Sequence, residues 1–304
     1  MCDHEETEFK VTLRFRLLRA LTLVLLLLNL SVAQKADREK EGLLGVVHSV
    51  RSQTVDYLDE NLKEKGRTKQ LDTVTYDTNG NEIERIIYDD YGFLVGKKVH
   101  THDAKDNLIE SILSDPKGVV MERRTYTRDN GKLVQIMTYD GKGSLVLKQV
   151  NSHDAYGRLR AETYYDPKNA VGKTLYEFDE KGNVSEVAFY LASGSKAVAP
   201  IGPCLGAHKV IYSYDGNGKP NKVLAYEPDG EMKKGWTYTY NLKGQVAEDI
   251  RESVWSSTRF IYEYEYDSKG NWITRTAVVS VRSKLSDTEA HQRKTVTSRE
   301  VTYY

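Results

Sequence analysis

The chain has 304 residues, enough for one large domain or two ordinary ones. Its 44 basic and 44 acidic side chains balance, which argues against a nucleic-acid-binding protein, because such proteins need an excess of Lys and Arg to release counterions. The sequence holds 21 Tyr against 6 Phe, and Tyr suits a half-buried strand on which the ring packs while the hydroxyl reaches water. The composition therefore favours β-sheet.

Residues 1–33 have the features of a secretory signal peptide. Three arginines precede an apolar run at residues 20–30, and small residues stand at positions −3 and −1 from a cleavage site after Ala33. The apolar run is too short to cross about 30 Å of hydrocarbon, so we expect no integral membrane span once the signal is removed. The sequence therefore predicts an exported protein.

Residues 34–70 are expected to form an amino-terminal strand, at 46–57, and a charged loop at 61–70. From residue 71 to residue 282 one motif repeats: an aromatic residue, Asp, two residues and Gly. Clear copies begin at Tyr76, Tyr88, Tyr139, His153, Phe178, Tyr214 and Tyr266, and looser copies at His102, Ser114, Tyr165, Tyr190, Tyr226 and Tyr240. Self-similarity of this kind predicts a repeat architecture.

The chemistry of the motif is that of a tight turn. The Asp accepts hydrogen bonds from the backbone ahead of it, and the Gly supplies the left-handed conformation that closes a type I turn with a bulge. Asn169 occupies the Gly slot once and would take the same conformation, since Asn tolerates positive φ. Proline follows the acidic position at Pro116, Pro167 and Pro228, where its fixed φ suits the turn.

The segments between the turns alternate as β-strands do. At 260–266, four aromatic residues alternate with Ile261, Glu263 and Glu265. Turns follow one another after about one strand of eight residues, so consecutive turns fall on opposite edges of an antiparallel meander. On one edge Asn follows the Gly slot, at Asn81, Asn107, Asn183 and Asn271. We predict an all-β fold of roughly 16–18 strands in sequence order, forming one long twisted sheet that curls into a spiral shell fragment or a partly closed barrel.

The Tyr-Asp-x-x-Gly-Asn turn resembles the signature of the YD-repeat (RHS-type) family, and the resemblance covers roughly residues 70–280. The chain is also similar to short secreted RHS-like proteins of Gram-negative bacteria, in which a Gly-Asn-Trp turn, here residues 270–272, precedes the end. The resemblance implies a location in the periplasm, at the outer membrane or outside the cell. The family includes toxin shells, but this chain is far shorter and shows no separate carboxy-terminal toxin domain, so the resemblance does not carry a toxin function over to it.

The repeat is interrupted at residues 191–209, where one turn is missing. Three interpretations are open: a seam between two halves of the sheet, a loop that contacts a partner or ligand, or a reactive cysteine at Cys204. Residues 283–304 are expected to form a mobile loop and a final strand.

No residue pattern indicates catalysis, a cofactor or a metal. His100 and His102 would share a strand face, but no third ligand stands near them in sequence, and the Asp-rich turns lack the twelve-residue loop of an EF-hand. A glutamate recurs at the same place in four units, at Glu84, Glu110, Glu186 and Glu248. A catalytic carboxylate pair is needed once, so pairing with Lys and Arg across strands explains this recurrence better.

The sequence predicts a class of roles and no specific ligand. The first hypothesis is a non-enzymatic exported scaffold or binding protein of the bacterial envelope that contacts an unknown protein or glycan. The alternative is a carbohydrate-binding module whose Trp236, Trp255 and Trp272 stack on sugars, and a less favoured one is a glycoside-type hydrolase. A transmembrane barrel is disfavoured, because segments such as 82–88 carry charge on both faces.

Overall fold

The computed structural model describes residues 36–57, 65–89, 91–199, 206–285 and 293–304; the predicted signal peptide and Cys204 lie outside them. No helix of the described residues is long and apolar enough to cross a membrane. The elements are α1 (Asp37–Lys40), β1 (Val47–Tyr57), β2 (Lys65–Tyr76), β3 (Glu82–Tyr88), β4 (Leu94–His102), β5 (Leu108–Ser114), β6 (Val120–Asp129), β7 (Lys132–Asp140), β8 (Leu145–His153), β9 (Leu159–Tyr165), β10 (Ala170–Phe178), β11 (Val184–Leu191), β12 (Lys209–Tyr214), β13 (Pro220–Tyr226), β14 (Met232–Tyr240), β15 (Val246–Ser253), β16 (Ser256–Tyr266), β17 (Trp272–Ser283) and β18 (Arg293–Tyr303).

The strands form a closed antiparallel ring. Each strand pairs with the one before it and the one after it. The ring closes because β1 pairs with β18, from Ser49 opposite Thr302 to Tyr57 opposite Lys294. The predicted all-β meander is confirmed, and of the two predicted forms it is the barrel that occurs. Closure leaves none of the described strands with an open edge that could pair with another chain.

The turns have the predicted chemistry. After β3, Asp89 Oδ1 accepts hydrogen bonds from the amides of Tyr91 (2.8 Å) and Phe93 (2.9 Å), and Gly92 takes φ of 81°. The same pair of Asp contacts occurs at other motif turns, for example at Asp140 and Asp267. These hydrogen bonds account for the Asp and the Gly of the motif without any bound ligand.

Two local expectations are corrected. Asn169 does not take positive φ, because among the described residues other than Gly only Asp106 and Asn130 do so. Its turn is one residue shorter, with the Asp166 amide donating to Asn169 O at 3.0 Å. The charged loop expected at 61–70 is also shorter, because β2 already begins at Lys65 and pairs with β1.

The interruption after β11 is an excursion from a sheet that remains continuous. β11 pairs with β12 through Glu186–Ile211, Val187–Val210 and Ala188–Lys209, so the sheet is not divided at this point. Beyond these three residue pairs, the excursion continues the backbone pairing. The amide of Ala197 donates to Phe189 O at 3.0 Å, and the amide of Ala199 donates to Ala207 O at 2.7 Å.

One face of the sheet is buried, although among the described residues no second layer of structure covers most of it. On this face Ser111 is 2% exposed, Thr138 6% and Tyr176 1%. In a closed ring, side chains on the concave side converge, so we identify this face as the inner wall of the barrel. It includes Arg85 and Arg299, and the opposite strand face is the outer wall. A ring of 16–18 strands is wide enough to leave an aqueous lumen.

The outer wall carries the predicted ladder of glutamates, each paired with a cation on the next strand. The pairs are Glu84–Lys97 at 3.1 Å, Glu110–Arg123 at 2.6 Å, Glu186–Lys209 at 3.4 Å and Glu248–Arg259 at 2.5 Å. The prediction of cross-strand pairing is therefore confirmed for all four residues. Such exposed pairs neutralise the surface and add little stability each.

The amino-terminal segment of the described chain closes against the inner wall. Leu43 packs with Val47, Val50, Val74 and Tyr76 in a buried apolar cluster. The same segment is held to the rim of the barrel at which Asn follows the Gly of the turns. There Asn271 makes two hydrogen bonds with the Leu44 backbone, of 2.7 and 2.8 Å. Asn271 therefore fastens the start of the chain to the turn before β17.

Two turn glycines allow the cost of a clashing Cβ atom to be measured separately from the cost of a left-handed backbone. Gly92 and Gly143 have φ of 81° and 82°, but a Cβ on Gly92 would lie 3.0 Å from Gln70 N, whereas one on Gly143 meets nothing within 4 Å. Gly143→Ala should cost about 1 kcal/mol for its left-handed backbone, and Gly92→Ala should cost about 1 kcal/mol more, because β2 must shift. Urea unfolding of both variants measures the difference. Equal losses would show that β2 yields freely.

Candidate functional site

A ladder of aromatic rings runs along the inner side of β16. The rings are those of Phe260, Tyr262, Tyr264 and Tyr266, with successive centroids 6.2, 6.4 and 6.3 Å apart. Trp272, at the start of β17, meets Tyr264 edge-on at 6.1 Å. The ladder follows from the alternation at 260–266, because every second side chain of a strand points to the same wall. Cations lie against it, with Arg251 over Phe260 at 4.2 Å and Lys243 over Tyr266 at 3.4 Å.

Two arginines beside this ladder have no carboxylate within ion-pair distance among the described residues. The guanidinium carbon of Arg299 lies 3.5 Å from the centroid of the Trp272 ring, and that of Arg275 lies 5.4 Å from the same ring. The Nε atoms of both are buried without a hydrogen-bond partner in the described chain. Burial, with the like charge of Arg275, lowers the pKa of Arg299 to about 10.

Three other inner-wall arginines are neutralised locally. Arg85 pairs with Glu82 at 2.5 Å, Arg124 with Glu122 at 2.7 Å and Arg251 with Asp249 at 2.6 Å. A buried or partly buried guanidinium normally needs such a carboxylate. Arg275 and Arg299 differ from these three in lacking one. Arg128, on the same wall of β6, also has no carboxylate within ion-pair distance among the described residues, and its buried Nε has no hydrogen-bond partner there.

A chain of close polar contacts crosses β3 to β6 on the inner wall. Ser111 Oγ lies 3.2 Å from the Tyr126 hydroxyl and 3.0 Å from His100 Nδ1, and His100 Nε2 lies 3.3 Å from Glu82 Oε1. Burial alone would raise the pKa of Glu82, but its interactions with His100 and Arg85 outweigh burial and lower that pKa to about 2. The chain keeps Glu82 ionised.

The contact of Ser111, His100 and Glu82 contains the residue types of a nucleophile, a base and an orienting acid. However, Ser111 is 2% exposed, so a substrate has no approach to its hydroxyl. The strand of Ser111 also pairs with β4 and β6, which uses the backbone amides that an oxyanion hole would require. This group is therefore a buried polar network and lacks the features of an open catalytic site.

Lys98 lies in the same region and is 7% exposed. It stands opposite Arg85 on β3 and Leu113 on β5. Burial, together with the charge of Arg124, lowers the pKa of Lys98 to about 8. Lys98 is thus a cation held in an environment that disfavours its charge.

A second polar centre lies on β9 and β10. Glu162 Oε2 accepts hydrogen bonds from the hydroxyls of Tyr164 and Tyr176, each at 2.7 Å, and its Oε1 accepts one from Gln149 at 2.9 Å. Burial and the charge of Glu162 raise the pKa of both tyrosines well above its ordinary value. The tyrosines therefore stay neutral donors that satisfy this carboxylate.

The three tryptophans predicted to stack on sugars do not come together. Trp236 is 8% exposed and packs with Val210, Val223 and Ala225, so its ring is not open to a ligand. Trp255 is 65% exposed in the turn before β16, and Trp272 follows the far end of that eleven-residue strand. Of the three, Trp272 alone joins the aromatic ladder of the inner wall.

Among the described residues, no group of three or more side chains could hold a metal ion, and His100 is engaged by Ser111 and Glu82. The sequence reasoning missed Arg275 and Arg299. A signal for Arg275 was present, because the hairpin of β16 and β17 places it directly opposite Tyr264. Once that register is known, Arg275 must share the wall of the aromatic ladder.

No family model matches the sequence, and no curated protein matches it. Among solved structures, a porin-like protein from Bacteroides uniformis is similar with a TM-score of 0.42 and 11% identity, covering 84% of this chain and 96% of that chain. The Tc holotoxin pore of Photorhabdus luminescens is similar with a TM-score of 0.30 and 11% identity, over 73% of this chain and 16% of that chain. A TcdB2–TccC3–Cdc42 structure gives a TM-score of 0.30 and 11% identity over 76% and 18%. Likenesses this distant assign no family or function.

Proposed function

We propose that the protein is a non-enzymatic, exported binding protein of the bacterial envelope, which holds its ligand on the inner wall of a water-soluble barrel. The chemical difference between the two walls carries this proposal. The outer wall is neutralised by cross-strand ion pairs, whereas the inner wall combines an aromatic ladder with two arginines that lack a carboxylate. Concave surfaces with aromatic rings and a few polar groups are typical of binding sites.

The outer wall favours a barrel in water over one in a bilayer. Lys97, Arg123 and Arg259 are 53%, 50% and 55% exposed on this wall. A Lys or Arg on the lipid face of a membrane barrel costs about 2–4 kcal/mol near the bilayer midplane. Export itself rests on the predicted signal peptide, and an envelope role also agrees with the YD-repeat resemblance.

The two other hypotheses have unequal support. A carbohydrate-binding role retains Trp272 and the tyrosine ladder but loses Trp236, which is buried. A hydrolase that uses the recurring glutamates is disfavoured, because all four are ion-paired on the outer wall, where each serves the same cross-strand role. We therefore keep a glycan as one candidate ligand.

Ligands found by a thermal-shift screen of glycans and organic acids should act through the inner wall. Tyr262→Ala should abolish the ligand-induced rise in melting temperature, since Tyr262 belongs to the aromatic ladder. Ile261→Ala, the adjacent change on the outer wall, should leave that rise intact. A ligand-induced rise that survives Tyr262→Ala, or quantitative partition of the protein into phospholipid vesicles, would contradict the proposal.

A further inference from the structure

The two unpaired arginines indicate what kind of ligand the inner wall takes. We propose that Arg275, Arg299 and Trp272 form an oxyanion-binding site that receives a carboxylate or phosphate group of the ligand. This inference rests on the proposed function, because it places the ligand on the inner wall, and it adds the chemical class of that ligand.

The register of the sheet places the two arginines on neighbouring strands of the same wall. Arg275 on β17 stands opposite Thr297 on β18, and Arg299 lies two residues further along β18 on the same wall. Residues in this diagonal relation are near enough for long side chains to meet. Both guanidiniums lie against the Trp272 ring, at 3.5 and 5.4 Å from its centroid, and Arg275 also lies 5.4 Å from the centroid of Tyr262.

The rings position these cations but leave their charge uncompensated. A cation–π contact contributes about 0.5–2 kcal/mol, and it does not supply the hydrogen-bond acceptors that a guanidinium requires. The hydroxyl of Tyr264 accepts a side-chain hydrogen bond from Arg275, but a neutral hydroxyl does not balance the charge of the guanidinium. Glu41 acts on Arg299 electrostatically without reaching ion-pair distance in the described structure. The buried, unpartnered Nε atoms are the kind of unsatisfied group that a bound ion explains.

An oxyanion matches this arrangement better than a neutral ligand does. Guanidinium groups present a rigid fork of donors that fits carboxylate and phosphate oxygens in pairs. Two such forks would give the anion several charge-assisted hydrogen bonds, each stronger beside these partly buried side chains than in bulk water. A neutral sugar would leave both charges without a partner.

A pocket adjoins Arg299 on the side of the amino-terminal segment. Its volume is about 330 Å³, and it lies between Leu43 and the inner wall at Ser52 and Tyr76. A volume of this size is at the lower end of small-molecule sites. Arg275 and Trp272 do not line this pocket, and the carboxylates of Glu41, Asp72 and Asp89 do, so the anion is expected on the side of Arg299 that faces Trp272. The other cations nearby do not compete for the anion in the same way, since Arg85 in this pocket already pairs with Glu82 and Asp72.

Isothermal titration calorimetry of the purified protein at constant ionic strength tests the site. Inorganic phosphate and trigalacturonate serve as oxyanion probes, and maltotriose as the neutral sugar. We expect at least one oxyanion probe to bind, with an affinity at least tenfold weaker in Arg275→Gln and in Arg299→Gln. Arg299→Lys should weaken binding less, because it keeps the charge and loses the fork. Arg259→Gln on the outer wall is the matched control and should bind as the original protein does.

The pattern of binding identifies the source of the anion. Binding of phosphate alone supports a phosphorylated or free phosphate ligand, and binding of trigalacturonate alone supports an acidic glycan. The oxyanion site is overturned if neither oxyanion probe binds, or if both Gln variants bind the probe as tightly as the original protein does. If maltotriose binds instead and Tyr262→Ala abolishes that binding, the proposed function stands and only the oxyanion site falls. Arg275→Gln and Arg299→Gln are independent, so misfolding of one, seen by circular dichroism, leaves the other decisive.

Discussion

Replacing Lys98 with Met is expected to raise the free energy of unfolding at pH 7 by about 1–3 kcal/mol. Burial lowers the pKa of Lys98 from 10.5 to about 8, so between these pH values the unfolded chain binds more protons than the folded chain. Stability therefore rises with pH across this window, and the destabilising effect of the charge is fully present below pH 8. Met removes the charge and keeps a flexible apolar side chain of similar length.

Urea unfolding at pH 7 and pH 10 measures this effect. At pH 10 Lys98 is neutral in the folded protein, so the advantage of the Met variant should fall below about 1 kcal/mol. Lys97→Met is the matched control, since Lys97 is the adjacent residue on the outer wall, 53% exposed and paired with Glu84 at 3.1 Å. Its change should stay within about 0.5 kcal/mol. The expectation would be contradicted if Lys98→Met were less stable than the original protein at pH 7, or if its advantage in free energy of unfolding were the same at pH 10 as at pH 7.

The parts of the fold that were predictable are those decided by a few neighbouring residues. The turn after β3 depends on Asp89 and Gly92, which are three positions apart, and the alternation of β16 depends on its own seven-residue pattern. The sequence did not decide between a spiral shell fragment and a barrel, because closing the ring joins residues that are far apart in the sequence. The buried hydroxyls of Thr54 and Thr297, 2.9 Å apart, are 243 positions apart in sequence. No turn chemistry decides whether a curled sheet reaches its own first strand.

The same distinction between local and long-range contacts decides which side-chain contacts of the two walls could be predicted. Pairing of Glu110 with Arg123 could be predicted, since a hairpin register brings them together. The burial of Trp236 could not, because its cluster includes Ala207 from the excursion between β11 and β12. Arg299 was missed because its environment combines Trp272 on β17, Ser52 on β1 and the segment at Glu41. Such sites depend on strands that meet only when the ring closes.

Glu82 shows what an inner-wall charge contributes when its partners are in place. Arg85 donates to it from Nε at 2.8 Å and from Nη2 at 2.5 Å, and His100 lies 3.3 Å away. Against the opposing effect of burial, these contacts lower the pKa of Glu82 from 4.5 to about 2. Glu82 is thus the counterpart of Lys98, a buried charge that the fold stabilises.

Glu82→Gln is expected to lower the free energy of unfolding at pH 7 by about 3 kcal/mol. Because the folded pKa of Glu82 lies below its unfolded value, its contribution is fully present above about pH 4.5 and is lost as pH falls through about 2. The difference between the original protein and Glu82→Gln should therefore shrink steadily in urea unfolding at pH 7, 4 and 3. Glu84→Gln is the control, because Glu84 is 34% exposed on the outer wall and should change stability by less than about 1 kcal/mol. A loss in Glu82→Gln that is the same at pH 3 as at pH 7 would show that the hydrogen bonds of Glu82, and not its charge, hold β3 and β4 together.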